Sequence, residues 1–216
     1  MRPRLLDAYC GAGGAGMGYH RAGFDVVGVD LSPQPRYPFE FHQGDAVGFI
    51  RDHGHEFDAI HASPPCQRYS LATPHARKRN HSDLLPDTRA TLAAVGKPWV
   101  IENVPGAPMR PDIIICGCEV GLALRRVRWF ETSWQHFSFR DPCVHDGPVV
   151  SVVGHGSPSW VRELLGYNPT IADYRAAMGI DWMNRDELSE AIPPAYTEHV
   201  GGFLREHLTH TATACR

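Results

Sequence analysis

In Ser63-Pro64-Pro65-Cys66-Gln67 a thiol stands directly behind two prolines, after the short apolar run Asp58–Ala62. Proline fixes φ and removes a backbone donor. The pair therefore stiffens the exit from a strand and holds Cys66 at the carboxyl edge of a sheet, where wound α/β folds place their chemistry. A free cysteine is often only a small core residue, but the polar Gln67-Arg68 that follows does not suit a buried plug. A thiol so held is a candidate nucleophile. A second strand-like run, Trp99-Val100-Ile101, leads into Glu102-Asn103-Val104, which brings a carboxylate to the same edge. A solvated strand-end acid is the plain alternative. Arg126 and Arg128 are two residues apart in a mostly apolar run, so on a strand they share a face and call for an acceptor. An edge strand with two solvated arginines is the competing reading.

A third constellation is suited to a ligand. Leu5–Tyr9 runs into Cys10-Gly11-Ala12-Gly13-Gly14-Ala15-Gly16, and Gly11, Gly13 and Gly16 keep the G-x-G-x-x-G spacing. Asp30 follows Gly11 by 19 residues, at the end of the next apolar run. That layout lets backbone approach a nucleotide while an acid accepts from a ribose hydroxyl. It fits a nicotinamide cofactor nearly as well as adenosylmethionine. The stretch from Arg68 to Asn80 holds Arg68, His75, Arg77, Lys78 and Arg79 without one acid, in a chain of formal net charge −3. Such a local cluster points to phosphate contacts, a solvated loop being the alternative.

These groups need a scaffold. Candidate strands are Leu5–Tyr9, Asp25–Asp30, Asp58–Ala62, Pro98–Asn103, Asp112–Cys116 and Arg126–Phe130. Helices are expected to open near Gly14 and to cover about Leu84–Val95, Ile171–Met178, Arg185–Ala191 and Ala195–Leu208. Several strands are apolar on both faces, as strands sandwiched between helices are. The fold class is thus α/β, a wound and mostly parallel sheet with helices on both faces. We expect a catalytic and cofactor-binding unit over 1–133, a turn-rich stub over 134–170 and C-terminal helices over 171–216 that pack back on the first unit. At 216 residues and 43% apolar composition the chain can bury a core without metals or disulfides, and it is not of the disordered class. It has no 18-residue apolar run and no apolar signal core. Its six cysteines are unevenly spaced, as cytosolic thiols are. A cytoplasmic protein without membrane contact is the expectation.

Taken in order, the motifs resemble those of the DNA (cytosine-5) methyltransferases, and most nearly the short phage-type members. They are Asp7-Ala8-Tyr9-Cys10-Gly11-Ala12-Gly13-Gly14, Gly28-Val29-Asp30, Gly44-Asp45, Ser63-Pro64-Pro65-Cys66-Gln67, Glu102-Asn103-Val104, Arg126-Val127-Arg128-Trp129-Phe130 and Ile192-Pro193-Pro194. The resemblance implies a Rossmann-like adenosylmethionine-dependent fold. It implies S-adenosyl-L-methionine as cofactor, leaving as S-adenosyl-L-homocysteine, held by Asp7, Tyr9, Gly11, Gly13, Gly14, Asp30, Asp45 and Pro65, with Asp30 on the ribose and Asp45 near the adenine. DNA is the implied partner of a chain acting as a monomer or with a second subunit that aids recognition. The implied catalytic set is Cys66, Glu102, Arg126 and Arg128. Cys66 would add to carbon-6 of a flipped cytosine, Glu102 would hold or protonate N3 and Arg126 would bond O2. Gln67, Arg68, Ser70, Arg77, Lys78 and Arg79 would line the DNA. An RNA cytosine-5 methyltransferase and a catalytically silent nucleic-acid binder are the competing readings.

Three departures from the family pattern stand out. Leu124 replaces the usual Gln before the two arginines, and Glu190 replaces an Asn before the Pro-Pro motif. Only an irregular stub occupies the place of a recognition domain, which implies a short or loose target sequence. Cys116-Gly117-Cys118 and Cys143-Val144-His145, with 24 residues between them, make a conceivable four-ligand zinc site. Because C-x-C pinches ligand geometry, we expect two unrelated pairs and no metal.

Overall fold

The computed structural model describes residues 1–70, 73, 81–136, 143–145, 147, 149–152 and 159–214. Seven strands, β1 (Arg4–Ala8), β2 (Asp25–Asp30), β3 (Glu40–Gln43), β4 (Ala59–Ala62), β5 (Trp99–Asn103), β6 (Ile113–Ile115) and β7 (Arg128–Thr132), form one sheet in the order β3-β2-β1-β4-β5-β7-β6. From β3 to β5 the pairings are parallel. β7 runs antiparallel to both β5 and β6. The strand order reverses between β1 and β4, and at such a switch point the loops beyond the carboxyl ends part to leave a crevice. Because β7 is reversed, its first residue, and not its last, lies at that same edge.

Helices α1 (Gly14–Arg21), α2 (Ala46–His53), α3 (Leu85–Val95), α4 (Ser159–Leu165), α5 (Ile171–Met178), α6 (Arg185–Glu190) and α7 (Pro194–Ala214) complete the described residues. One core lies where α1 and α7 cover the sheet, with Tyr19, Phe24, Phe130, Tyr196, Val200 and Leu204 buried. On the other face Ile50, Leu85 and Leu92 pack on Leu6, Ile60 and Ile101. Helices therefore cover both faces, and the mostly parallel α/β class is what the molecule has. A third cluster joins Leu124, Val150 and Val152 to Tyr174, Met178, Met183 and Leu188. Leu124, the departure before the arginines, is an apolar member of this cluster, and a glutamine could not serve there without a partner for its amide.

The structure adds elements that sequence patterning did not indicate. β3 is exposed along most of its length, so it carries no apolar signature. α2 starts at a cap, where the Asp45 carboxylate accepts from the Gly48 N–H at 2.7 Å. The strand expected from Arg126 begins at Arg128 instead. α4 lies inside the stretch read as irregular.

Candidate active site

The carboxyl edge gathers four of the motif segments. Beyond β1 the chain turns through Tyr9, which has φ 59°. A non-glycine residue in this region is strained, and such strain concentrates at functional sites. Its hydroxyl pairs with Thr88 Oγ1 at 2.8 Å. The Asp30 carboxylate holds the glycine loop, accepting from Gly11 N at 3.0 Å through one oxygen and from Ser32 N at 3.0 Å through the other. A side chain built at Gly11 would meet nothing within 4 Å, so this stretch of backbone faces open space. Gly13, at φ 87°, caps α1 in the left-handed region.

Gly14 and Asp7 differ from the cofactor contacts implied for them. A Cβ on Gly14 would stand 2.4 Å from the Ile192 carbonyl oxygen, so this glycine permits the close approach of α1 to the Pro-Pro segment. Asp7 is fully buried beneath the loop and accepts from the Tyr37 hydroxyl at 3.1 Å. Its Oδ1 has no hydrogen-bond partner among the described residues. Burial pushes the Asp7 carboxyl up to about 8, opposed by the Tyr37 hydroxyl and the Gly16 N–H. The folded chain then holds a proton that the unfolded chain releases near pH ~4. Stability is therefore expected to fall as pH rises from about 4 toward 8 and to level off above. Melting curves of wild type and Asp7→Asn should diverge across that window, the variant being the less pH-sensitive. Parallel curves would show Asp7 already ionised in the fold. Asp45 lies exposed beyond β3 and its negative charge bears on Tyr9.

Beyond β4, Pro64 is buried, Pro65 is exposed and Cys66 is half-buried. Cys66 opens a tight turn whose carbonyl accepts from Tyr69 N and Ser70 N, both at 2.9 Å. Burial and the nearby Glu102 charge push the thiol up, while Arg128 and Arg126 pull it down. Glu102, on β5, is buried, with Arg128 Nε 2.9 Å from its Oε1. The contact is an ion pair without aligned N–H geometry, because that oxygen has no hydrogen bond. Burial raises the Glu102 pKa, with Arg128 and Arg126 opposing.

Arg126 does not share this task. Its guanidinium donates to the Val152 carbonyl at 2.5 Å, to that of Ser189 at 2.9 Å and to that of Ala191 at 3.1 Å. Its Nε, also buried, has no partner among the described residues, and burial lowers the Arg126 pKa to about 9, with Arg128 adding to this and Glu102 opposing. The arginine in direct contact with Glu102 is Arg128, while the Arg126 charge also bears on Glu102 and Cys66.

Asn103, quoted in the motif but given no role, ties the two loops together. Its amide donates to the Pro64 carbonyl at 3.0 Å while its Oδ1 accepts from Val104 N at 2.9 Å. The Glu102 strand thereby fixes the loop that carries Cys66. Asn103→Ala leaves a buried carbonyl unpaired and frees the proline pair. Amide exchange at Tyr69 and Ser70, whose N–H groups bond the Cys66 carbonyl, is expected to speed by about tenfold; unchanged exchange would remove Asn103 from the positioning of Cys66.

Gln67 and Ser70 are half-buried beside Cys66, and Arg68 is exposed. Arg68 donates to the His81 carbonyl at 3.3 Å and lies 3.7 Å from the Asp83 carboxylate, so the basic stretch has an acid just beyond its end. Arg77, Lys78 and Arg79 lie outside the described residues. The metal expectation is also corrected in its geometry: Cys116, Cys118, Cys143 and His145 form one cluster and not two unrelated pairs.

No protein-family model matches the chain. It is 29% identical over 115 residues to the Type II methyltransferase M.HgiDI of Herpetosiphon aurantiacus, a stretch covering 47% of this chain and 37% of the relative. With the Type II methyltransferase M.XorII of Xanthomonas oryzae pv. oryzae it shares 30% over 122 residues, 49% of this chain and 29% of the relative. The chain thus spans well under half the length of either relative. Among solved structures, the Entamoeba histolytica methyltransferase EhMeth superposes with a TM-score of 0.63 at 13% identity, covering 96% of this chain and 99% of that one. Over about half of its length the chain is thus similar in sequence to Type II methyltransferases. The superposition carries the fold alone, which is Rossmann-like and of the methyltransferase type. No helix among the described residues is long and apolar enough to cross a membrane.

Proposed function

We propose that this chain transfers a methyl group from S-adenosylmethionine to carbon-5 of cytosine in DNA. The observation that carries the reading is the convergence of a proline-held thiol, Cys66, with the buried Glu102–Arg128 pair at one edge of the sheet. The glycine loop supports it, since backbone at Gly11 faces open space beside Asp30 and the strained Tyr9. Adenosylmethionine, when bound there, supplies an electrophilic methyl group. Asp30 already orders the loop and keeps a carboxylate for a ribose hydroxyl, with Tyr9 and Asp45 beside it.

Carbon-5 of cytosine is a weak nucleophile, and the protein must make it stronger. Cys66 gives up its proton to water as its sulfur bonds to carbon-6. Protonated Glu102 delivers its proton to N3 as that bond forms, so that the ring becomes a neutral enamine and not a carbanion. Arg128 then sits opposite a newly charged carboxylate and is placed to donate to O2. Carbon-5 takes the methyl group, the donor's sulfonium becoming the thioether of S-adenosylhomocysteine; a base then removes the carbon-5 proton, the electrons of that C–H bond expel the Cys66 thiolate, and the Glu102 carboxylate takes back the N3 proton, so that the neutral ring is restored. These groups lie in the protein's crevice, so the base must leave the duplex to reach them. The stub leaves room for about one or two base contacts, each worth about 1–3 kcal/mol of discrimination. A context of two or three base pairs follows. The test is methyl transfer from labelled adenosylmethionine to a long random duplex and to matched RNA, followed by bisulfite sequencing. Protection of cytosines in a short DNA context is expected. Labelled adenine, or cytosine methylated on its exocyclic nitrogen, would overturn the assignment.

A further inference from the structure

Four soft ligand atoms from two distant stretches meet on the flank of the sheet. Cys116 follows β6 and opens the short 3-10 turn Gly117–Val120, which holds Cys118. Cys143 and His145 come from beyond β7. Cys116 Sγ lies 3.4 Å from His145 Nε2, and Cys143 Sγ lies 3.1 Å from the same nitrogen. Cys118 Sγ is 3.0 Å from Cys143 Sγ. All four ligand atoms fall within 4.8 Å of one another. In a tetrahedral zinc site, Zn–S and Zn–N bonds put neighbouring ligand atoms about 3.5–3.8 Å apart. The observed separations, from 3.0 to 3.4 Å for three of the pairs and none above 4.8 Å, bracket that spacing.

The sequence prepares half of this arrangement. A Cβ at Gly117 would come 2.2 Å from the Leu124 carbonyl oxygen, so only glycine lets the turn fold tightly enough to bring both flanking cysteines to one side. Glu119 accepts from Cys116 N at 2.5 Å, and Gly117 O accepts from Leu122 N at 2.8 Å. These bonds fix the Cys116–Cys118 pair without help from the second pair. Cys116 is buried while Cys143 is exposed, so the second pair closes over the first from the solvent side.

We propose that Cys116, Cys118, Cys143 and His145 bind a structural zinc ion. The three thiols give up their protons to solvent on binding, and His145 coordinates as a neutral imidazole. Three thiolates and an imidazole favour zinc over hard cations such as magnesium or calcium. Four protein ligands fill a tetrahedral shell and leave no position for a substrate, so the ion staples and does not catalyse. What it staples is defined by the next few residues. Val150 bridges Leu124, and its N–H donates to Ala123 O at 3.1 Å. Val152 then offers its carbonyl to Arg126. The ion thus pins the returning chain just before it joins the wall of the active edge.

Elemental mass spectrometry of the full chain, purified in reductant without chelator, tests this. About one zinc per chain is expected, both in wild type and in Cys66→Ala, which removes the unrelated edge thiol. Cys118→Ser and Cys143→Ser should lose it, and His145→Cys should keep it. Cobalt exchanged into wild type should show thiolate-to-metal charge transfer and the strong visible bands of tetrahedral coordination. Chelation should speed amide exchange at residues 149–152. If the serine variants fail to fold, the cobalt spectrum of wild type decides. Folded protein that takes up neither zinc nor cobalt under anaerobic reconstitution would overturn the proposal. So would a Cys118–Cys143 disulfide that persists in reductant.

Discussion

Cys66→Ala is expected to bind adenosylmethionine and DNA as wild type does and to transfer no methyl group, a loss of at least about four orders of magnitude. Without the sulfur, carbon-5 keeps the reactivity of free cytosine, and neither Glu102 nor Arg128 can replace a covalent bond to carbon-6. The substitution removes one atom from a half-buried turn, so the fold should be unaffected. A duplex containing 5-fluorocytosine provides the converse measurement. Cys66 of the wild type should add to carbon-6 and carbon-5 of the base should take the methyl group, but fluorine at carbon-5 cannot leave as a proton does, so the adduct should persist. A denaturation-resistant complex should appear on gels with wild type and be absent with Cys66→Ala. Active protein that never forms the adduct would rule out the thiol as nucleophile.

Glu102→Gln is expected to lower single-turnover rates by about a hundredfold to ten-thousandfold, the usual weight of a positioned general acid, with adenosylmethionine affinity unchanged. Burial raises the Glu102 pKa despite Arg128 and Arg126, so its protonated form survives to higher pH than that of an ordinary carboxyl group. The wild-type rate should therefore decline as pH rises through that pKa, by about tenfold per unit where proton delivery limits the step. The glutamine variant should lack this limb. A second readout separates chemistry from damage. The Glu102 charge helps to hold the Cys66 thiol pKa up, so Glu102→Gln should lower it. Alkylation of Cys66 should then become faster at neutral pH even as turnover collapses. Equal turnover in the variant would move the acid role to another group.

The parts of the site that were legible in the sequence were those with local causes. Two prolines before a cysteine, a strand running into Glu102 and glycines at fixed spacing all act within a few residues of themselves. β2 and β5 were visible because they are buried almost throughout. β3 was not, since an exposed edge strand has no apolar pattern to detect. The carbonyl contacts of Arg126 were not legible for a different reason. Its acceptors are backbone carbonyls 26, 63 and 65 residues away, and a carbonyl is the same for every residue type. The cysteine–histidine cluster was legible as a list of ligands but not as a site. What joins the two pairs is the return of the chain beside Leu124, which no spacing rule encodes.

The pairing of α1 with α7 sets the order in which the molecule can be completed during synthesis. Thr197 Oγ1 donates to the Ala15 carbonyl across 182 positions. Gly18 packs against Pro194 so closely that a Cβ there would stand 2.1 Å from the Pro194 carbonyl oxygen. The helix that follows the glycine loop thus leaves the ribosome 182 residues ahead of the residue that bonds across it. At about 5–20 residues per second, the nascent chain waits on the order of ten seconds with Tyr19 and Phe24 uncovered. During that interval it holds an unfinished glycine loop and an apolar face open to chaperones.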